Sequence, residues 1–117
     1  MEKIIKIGNH EVGMKATANT PKRYRNTFNK DLIREMQKLF NHLNSKTGEL
    51  NGDVDFEVVE NLAYIMAKQY DDSIGSQDEW MDEFGLADLY YAMSDILGLW
   101  GESQKTMSTP SKENKAD

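Results

Sequence analysis

Three stretches of this 117-residue chain place an apolar residue at every third or fourth position, the spacing that lines one face of an α-helix. They run from Tyr24 to Leu43, from Phe56 to Tyr70 and from Leu86 to Trp100. The middle stretch has further apolar residues on either side of its main stripe, which widens its apolar face. We therefore predict three main helices, with the second at the centre of the domain.

Residues that favour helix N-termini indicate where these helices begin. The first helix is predicted to start at Thr20-Pro21, because threonine is a good N-cap and proline is tolerated in the first turn, where its missing N–H has no partner. It is predicted to end near Leu43 or Asn44. The second helix is predicted to be capped by the carboxylate of Asp53 or Asp55.

The N-terminal residues show the alternation of β-strands. Lys3–Ile7 and Glu11–Thr17 each place apolar residues at every second position, and Gly8-Asn9 between them is typical of a tight turn. We predict a β-hairpin over about residues 3–17. An isolated hairpin is marginally stable in water, so this one must pack on the helices or on another chain.

The remaining segments complete the predicted domain. Ser76 is a predicted N-cap for a short helix over Asp78–Phe84. The chain after Gly101 has almost no apolar residue, which predicts a flexible polar tail over residues 102–117. The predicted fold is mainly α: residues 1–101 form a compact bundle of three main helices and one short helix, with an N-terminal β-hairpin.

Groups that carry out chemistry are scarce in this sequence. There is no cysteine, and the only histidines are His10 and His42, far apart along the chain. The glycine patterns of nucleotide-binding loops and of serine hydrolases are absent. Residues 44–58 lie between two predicted helices but lack the ligand spacing of a calcium-binding EF-hand. Acidic pairs such as Asp78-Glu79 point in different directions on a helix. We predict no catalytic residue, no cofactor and no metal, and therefore no enzyme.

Charge is distributed unevenly along the chain. The formal net charge is -6, and residues 71–104 contain nine acidic residues and no lysine or arginine. This balance disfavours a general nucleic-acid binder, whose phosphate contacts need basic residues. The acidic segment is either a solvated face or a surface for a basic partner. With no signal peptide and no apolar stretch of roughly 18 residues, we expect a cytoplasmic protein with no membrane contact.

Two groups of residues are candidates for binding a partner protein. Large aromatic and methionine side chains around α-helical segments either fill the core or form an interface. One basic face is formed by Lys22, Arg23, Arg25 and Arg34. Its positive charge could pair with the acidic residues 71–83 of another subunit, which predicts a head-to-tail homo-oligomer. The candidate partner-binding residues are Arg23, Tyr24, Arg25, Arg34, Trp80, Met81, Phe84 and Trp100.

The order of these features resembles the tail assembly chaperone family of long-tailed, siphovirus-type phages and prophages of Gram-positive bacteria. After a short Ile/Val-rich hairpin, the segment Thr20–Ile33 (TPKRYRNTFNKDLI) is the most specific match. Glu60–Gln69, Glu79–Phe84 and the ending Ile96–Trp100 follow in the same order. The resemblance extends from about Ile5 to Trp100.

This resemblance implies a function without chemistry. Such chaperones bind the long tape-measure protein, keep its apolar helical surface from aggregating and help to recruit tail tube protein, and they are absent from the finished virion. Many are made in two forms, the longer by ribosomal frameshifting, for which the segment Ser111–Lys115 is the candidate region here. The resemblance thus predicts the tape-measure protein, and possibly tail tube protein, as partners in the cytoplasm of a bacterial host.

Two other functions remain open from the sequence. The first is an acidic phage or prophage protein that binds and regulates or inhibits a host or phage protein, of which DNA mimicry is one form. The second is a DNA-binding regulator, since Tyr24–Lys38 is a basic helix. The second is disfavoured because no short helix precedes it at helix-turn-helix spacing and its basic residues are scattered around the helix.

Overall fold

The computed structural model describes the backbone of residues 1–41 and 55–108, and side chains as far as Gln104. This part of the chain forms a mainly helical domain with an N-terminal two-stranded hairpin, which confirms the predicted fold class. The elements are β1 (Glu2–Ile7), β2 (His10–Lys15), α1 (Thr20–Phe28), α2 (Leu32–Asn41), α3 (Phe56–Tyr70), α4 (Gln77–Met81), α5 (Asp88–Tyr91) and α6 (Met93–Ser108).

The hairpin forms where its alternation predicts it. The antiparallel strands β1 and β2 close with Ile7 opposite His10, around the two residues Gly8 and Asn9. Gly8 has a φ of 63°, the left-handed conformation that a hairpin turn with glycine at its first central position requires. The inward side chains of the hairpin lie in the core, against α3. They are Ile5, Ile7, Val12, Met14 and Ala16. Of the two expected supports for the hairpin, the helices or another chain, it is therefore the helices that support it.

The predicted first helix is in fact two helices. Asn29 takes up the left-handed conformation, with φ 58° and ψ 39°, and its N–H donates to the carbonyl of Arg25 at 2.8 Å, which ends α1. Asp31 then accepts a hydrogen bond from the N–H of Arg34 at 3.2 Å, which begins α2. The prediction of one continuous helix was therefore wrong, because a C-cap followed by an N-cap interrupts the apolar stripe. Its predicted end near Leu43 or Asn44 lies outside the described residues.

Helix α3 is the central element, as its broad apolar face predicts. Asp55 is its N-cap, and the Asp55 carboxylate accepts the N–H of Glu57 at 3.0 Å. Eight of the nine consecutive side chains from Val59 to Ala67 are buried, with Glu60 as the exception, and α3 contacts β2, α1, α2, α4 and α6. The amphipathic hairpin and the other helices thus share one core built around α3.

The C-terminal part is more divided than predicted. Ser76 caps α4 in a reciprocal capping box with Glu79, which confirms the predicted cap. The predicted helix from Leu86 to Trp100 is instead the short α5 followed by α6. Helix α6 extends to Ser108, seven residues past Gly101, after which the predicted tail begins. Residues 109–117 lie outside the described residues.

Candidate partner-binding surfaces

The aromatic residues predicted to bind a partner are divided between core and surface. The relative exposure is 0% for Tyr24 and 3% for both Trp80 and Trp100, so these side chains stabilise the fold. Met81 and Phe84 are half-buried and pack against the edge of the core. Of the predicted aromatic and methionine anchors, only these two have substantial free surface.

The predicted basic residues lie on the outside of α1 and α2. Arg25 and Arg34 are exposed and Arg23 is half-buried. Lys22 beside them is exposed as well. Their availability fits a surface for an acidic partner, and their predicted pairing with a second subunit stays a prediction.

An apolar groove lies between α2 and α6. Ile33 and Phe40 form its rims, at 41% and 38% exposure, and the buried side chains of Met36 and Trp100 form its floor. The groove encloses about 340 Å³ and is completed by Gln37, Asn41 and Gln104. Among the described residues that line it, none is charged. We call this surface the apolar groove.

The two rim residues of the apolar groove were not among the residues predicted from the sequence to bind a partner. Ile33 and Phe40 are seven residues apart and therefore share one side of α2. This side adjoins the stripe of Leu32, Met36 and Leu39 that fills the core. An apolar face this wide on a ten-residue helix is the sequence signal that indicates a second contact surface.

A second groove lies between β2 and α4, and aromatic rings form its floor. Trp80 packs against Tyr64 and against Phe84, with ring centroids 5.7 and 5.0 Å apart. Phe84 in turn packs against the His10 ring in a T-shaped arrangement, with centroids 5.2 Å apart. The groove encloses about 590 Å³, and Tyr70 lies on its other side. We call this surface the aromatic groove.

The wall of the aromatic groove is held by two hydrogen bonds from α3. The Tyr64 hydroxyl donates to the carbonyl of Gly75 at 2.6 Å, and the Lys68 Nζ donates to the carbonyl of Ile74 at 2.6 Å. These bonds fix the loop between α3 and α4. On the opposite side, the Tyr70 ring lies so close to Gly13 that a Cβ at that position would overlap it.

The rim of the aromatic groove is acidic. Glu11, Asp71 and Glu83 are all exposed, and no lysine or arginine is among the described residues lining the groove. The pKa of Asp71 is lowered because the Ser73 hydroxyl and N–H both donate to its carboxylate, so this group stays ionised. The two grooves thus differ in chemistry: one is neutral and the other is negative.

A third, polar pocket lies between α3 and α4. Its carboxylates come from Glu57, Glu60, Asp78 and Asp82, and it encloses about 440 Å³. Burial raises the pKa of Glu60, and the nearby charges of Glu57 and Asp55 raise it further. No group of three or more histidine, aspartate or glutamate side chains in the described part of the chain is arranged to hold a metal ion.

The remaining candidates for chemistry are dispersed. His10 is exposed on the hairpin and its ring packs on Phe84, whereas His42 lies outside the described residues. Within residues 1–41 and 55–108, no helix combines the length and the apolar character that a membrane span requires. The structure thus offers surfaces and grooves as the candidate functional features.

Comparisons with protein-family models, curated proteins and solved structures find no match to this chain. Its functional interpretation therefore depends on its own residues and on their arrangement.

Proposed function

We propose that this chain is a phage tail assembly chaperone that binds the tape-measure protein, keeps it soluble and promotes assembly of the tail tube, and that it is absent from the finished virion. It acts in the cytoplasm of the bacterial host. The resemblance of Thr20–Ile33 to this family supports the proposal.

The apolar groove is the observation that carries the proposal. An amphipathic helix binds a partner by placing its apolar side chains in such a groove. Ile33 and Phe40 offer apolar rims, and the buried side chains of Met36 and Trp100 form an apolar floor. The neutral lining suits the apolar ridge of a long helical client, which would otherwise aggregate.

Co-expression with the tape-measure protein tests this proposal. We expect the soluble fraction of the tape-measure protein to rise when this chain is present, and the two proteins to co-purify. Ile33→Glu and Phe40→Glu place a charge on each rim of the apolar groove and should abolish both effects.

A matched control separates the groove from general surface polarity. Leu86 is fully exposed, and Leu86→Glu introduces the same charge at a site away from the groove. We expect this variant to retain the complex. A tape-measure protein that stays insoluble and does not co-purify with the unaltered chain would contradict the proposal.

The second candidate is an acidic phage or prophage protein that binds and regulates or inhibits a host or phage protein. The exposure of the acidic side chains before, on and immediately after α4 favours it. They are Asp71, Asp72, Asp78, Glu79, Asp82 and Glu83. If the tape-measure protein forms no complex, binding of this chain to a basic protein that DNA displaces would support this second function.

A further inference from the structure

We propose that the aromatic groove binds a segment of a partner protein that carries a lysine or arginine next to an apolar side chain. The apolar side chain packs on the ring floor, and the cation lies between the rim carboxylates. This inference does not depend on the chaperone function, because the aromatic and apolar grooves share no residue.

The floor of the aromatic groove suits an apolar side chain flanked by a cation. Phe84 and Tyr70 present partly exposed ring surface, and Ile4 adds an aliphatic side chain that is 53% exposed. Aromatic faces attract ammonium and guanidinium groups through the negative charge of their π-systems. The same rings therefore accept the aliphatic stem and the charged end of one long basic side chain.

The carboxylates at the rim of the aromatic groove favour a positively charged partner segment. Glu11 lies on β2, Asp71 follows α3 and Glu83 follows α4, so three separate elements bring carboxylates to one opening. The nearest lysine on α3, Lys68, is already bonded to the carbonyl of Ile74. Lys6 lies opposite Glu11 in the hairpin register, and a cationic segment adds positive charge beside all three rim carboxylates, whereas an acidic segment would be repelled by them.

The walls of the aromatic groove are set before any partner binds. Tyr64 holds the carbonyl of Gly75, and the capping box holds Ser76 against Glu79. Glu79 is therefore engaged within α4, which leaves Glu83 as the α4-side carboxylate that faces the groove. A preformed wall lowers the ordering cost of binding.

A synthetic amphipathic peptide of alternating lysine and leucine pairs tests the inference, with the same peptide bearing glutamate for lysine as its counterpart. Backbone amide shifts in NMR titrations locate the binding site on the full chain. We expect the lysine peptide to shift His10, Gly13, Gly75 and Phe84, and the glutamate peptide to leave them unchanged.

Charge-removing variants provide the second part of the test. Glu11→Gln and Glu83→Gln each remove one rim charge, and each should weaken binding of the lysine peptide by about two- to five-fold, the range for one exposed ion pair. Asp95→Asn removes the same charge from α6, at an exposed residue outside the groove. It should leave the affinity unchanged.

Three outcomes would overturn the inference. One is equal weakening by Glu83→Gln and Asp95→Asn, which would indicate attraction to net charge alone. Another is peptide-induced shifts confined to the apolar groove. The third is self-association in light scattering at low salt that Glu83→Gln abolishes while the lysine peptide fails to bind, which would assign the groove to the basic face of a second copy.

Discussion

The hydroxyl of Tyr24 on α1 donates a 2.5 Å hydrogen bond to Oε1 of Glu35 on α2. This bond spans the interruption at Asn29 and joins the two helices that replace the single predicted one. Tyr24 is fully buried, and its ring packs on Phe28 at a centroid distance of 5.0 Å. The helix pair is therefore held by a polar contact as well as by packing.

The Tyr24–Glu35 bond predicts a dependence of stability on alkaline pH. Burial raises the pKa of Tyr24, and its hydrogen bond to Glu35 raises it further. Because the folded state holds the phenol proton more tightly than the unfolded state, stability is retained below about pH 10, the ordinary tyrosine pKa, and falls as the pH rises above it. Urea unfolding of the wild type between neutral pH and about pH 11 should show this loss.

Tyr24→Phe tests the origin of that loss. We expect it to lower the free energy of unfolding at neutral pH by about 1–3 kcal/mol, since the bond is made to a charged group. Its alkaline loss of stability should be smaller than that of the wild type. Burial also raises the pKa of Tyr64, so a residual loss is expected. An unchanged alkaline loss would show that Tyr24 does not contribute.

Because Asn29 has a left-handed conformation, alanine and glycine at this position should affect thermal stability differently. Asn29 has a φ of 58°, a conformation that costs alanine about 1 kcal/mol more than it costs glycine. We expect Asn29→Ala to be destabilising and Asn29→Gly to be close to neutral in thermal unfolding. Equal stability of the two variants would argue against a left-handed residue between α1 and α2.

Two glycines should respond to alanine in opposite directions. Gly98 is exposed within α6, and a Cβ there meets nothing within 4 Å. Gly98→Ala should therefore stabilise the chain by about 0.5–1 kcal/mol through helix propensity. Gly13→Ala should destabilise it, because the new Cβ overlaps the Tyr70 ring.

A double variant identifies the cause at Gly13. If the overlap with Tyr70 is responsible, Gly13→Ala should cost less in a Tyr70→Ala background than in the wild type, as a double-mutant cycle of unfolding free energies would show. Additive effects would mean that the ring does not lie over β2.

Replacing the Glu60 carboxyl group by a neutral amide should stabilise the folded chain. Because burial and neighbouring carboxylates raise the pKa of Glu60 in the folded state, folding favours the protonated form and stability falls as the pH rises through that pKa. Glu60→Gln removes this penalty, so we expect it to raise the melting temperature at neutral pH. The advantage should vanish near about pH 3, below the ordinary glutamate pKa of about 4.3.

Glu57→Gln is the matched control for Glu60. Glu57 lies one turn earlier on α3 and forms a 3.4 Å salt bridge with Lys30. Removing its charge should give a smaller gain, because it relieves part of the repulsion on Glu60 but loses the attraction to Lys30 at the same time. A melting temperature that rises equally in both variants would indicate a general effect of negative charge.

The sequence by itself determined the elements whose signals are local. The hairpin follows from alternation around Gly8, and α3 follows from a broad apolar face behind the Asp55 cap. Ser76 and Glu79 begin α4 through side chains only three residues apart. In each case the interacting atoms lie within one helical turn or one pair of strands, so the local sequence pattern is sufficient to predict the element.

Only the tertiary structure decided which apolar residues are buried. Tyr24 and Trp100 looked like possible anchors but fill the core, whereas Leu86 belonged to the predicted stripe and is fully exposed. Periodicity shows that residues share a face, but burial depends on whether a distant element packs on that face. The grooves arise in the same way, since α2 meets α6 and β2 meets α4 across more than 50 residues of chain. Local spacing fixes the helices, and the packing of distant faces fixes the surfaces that remain for a partner.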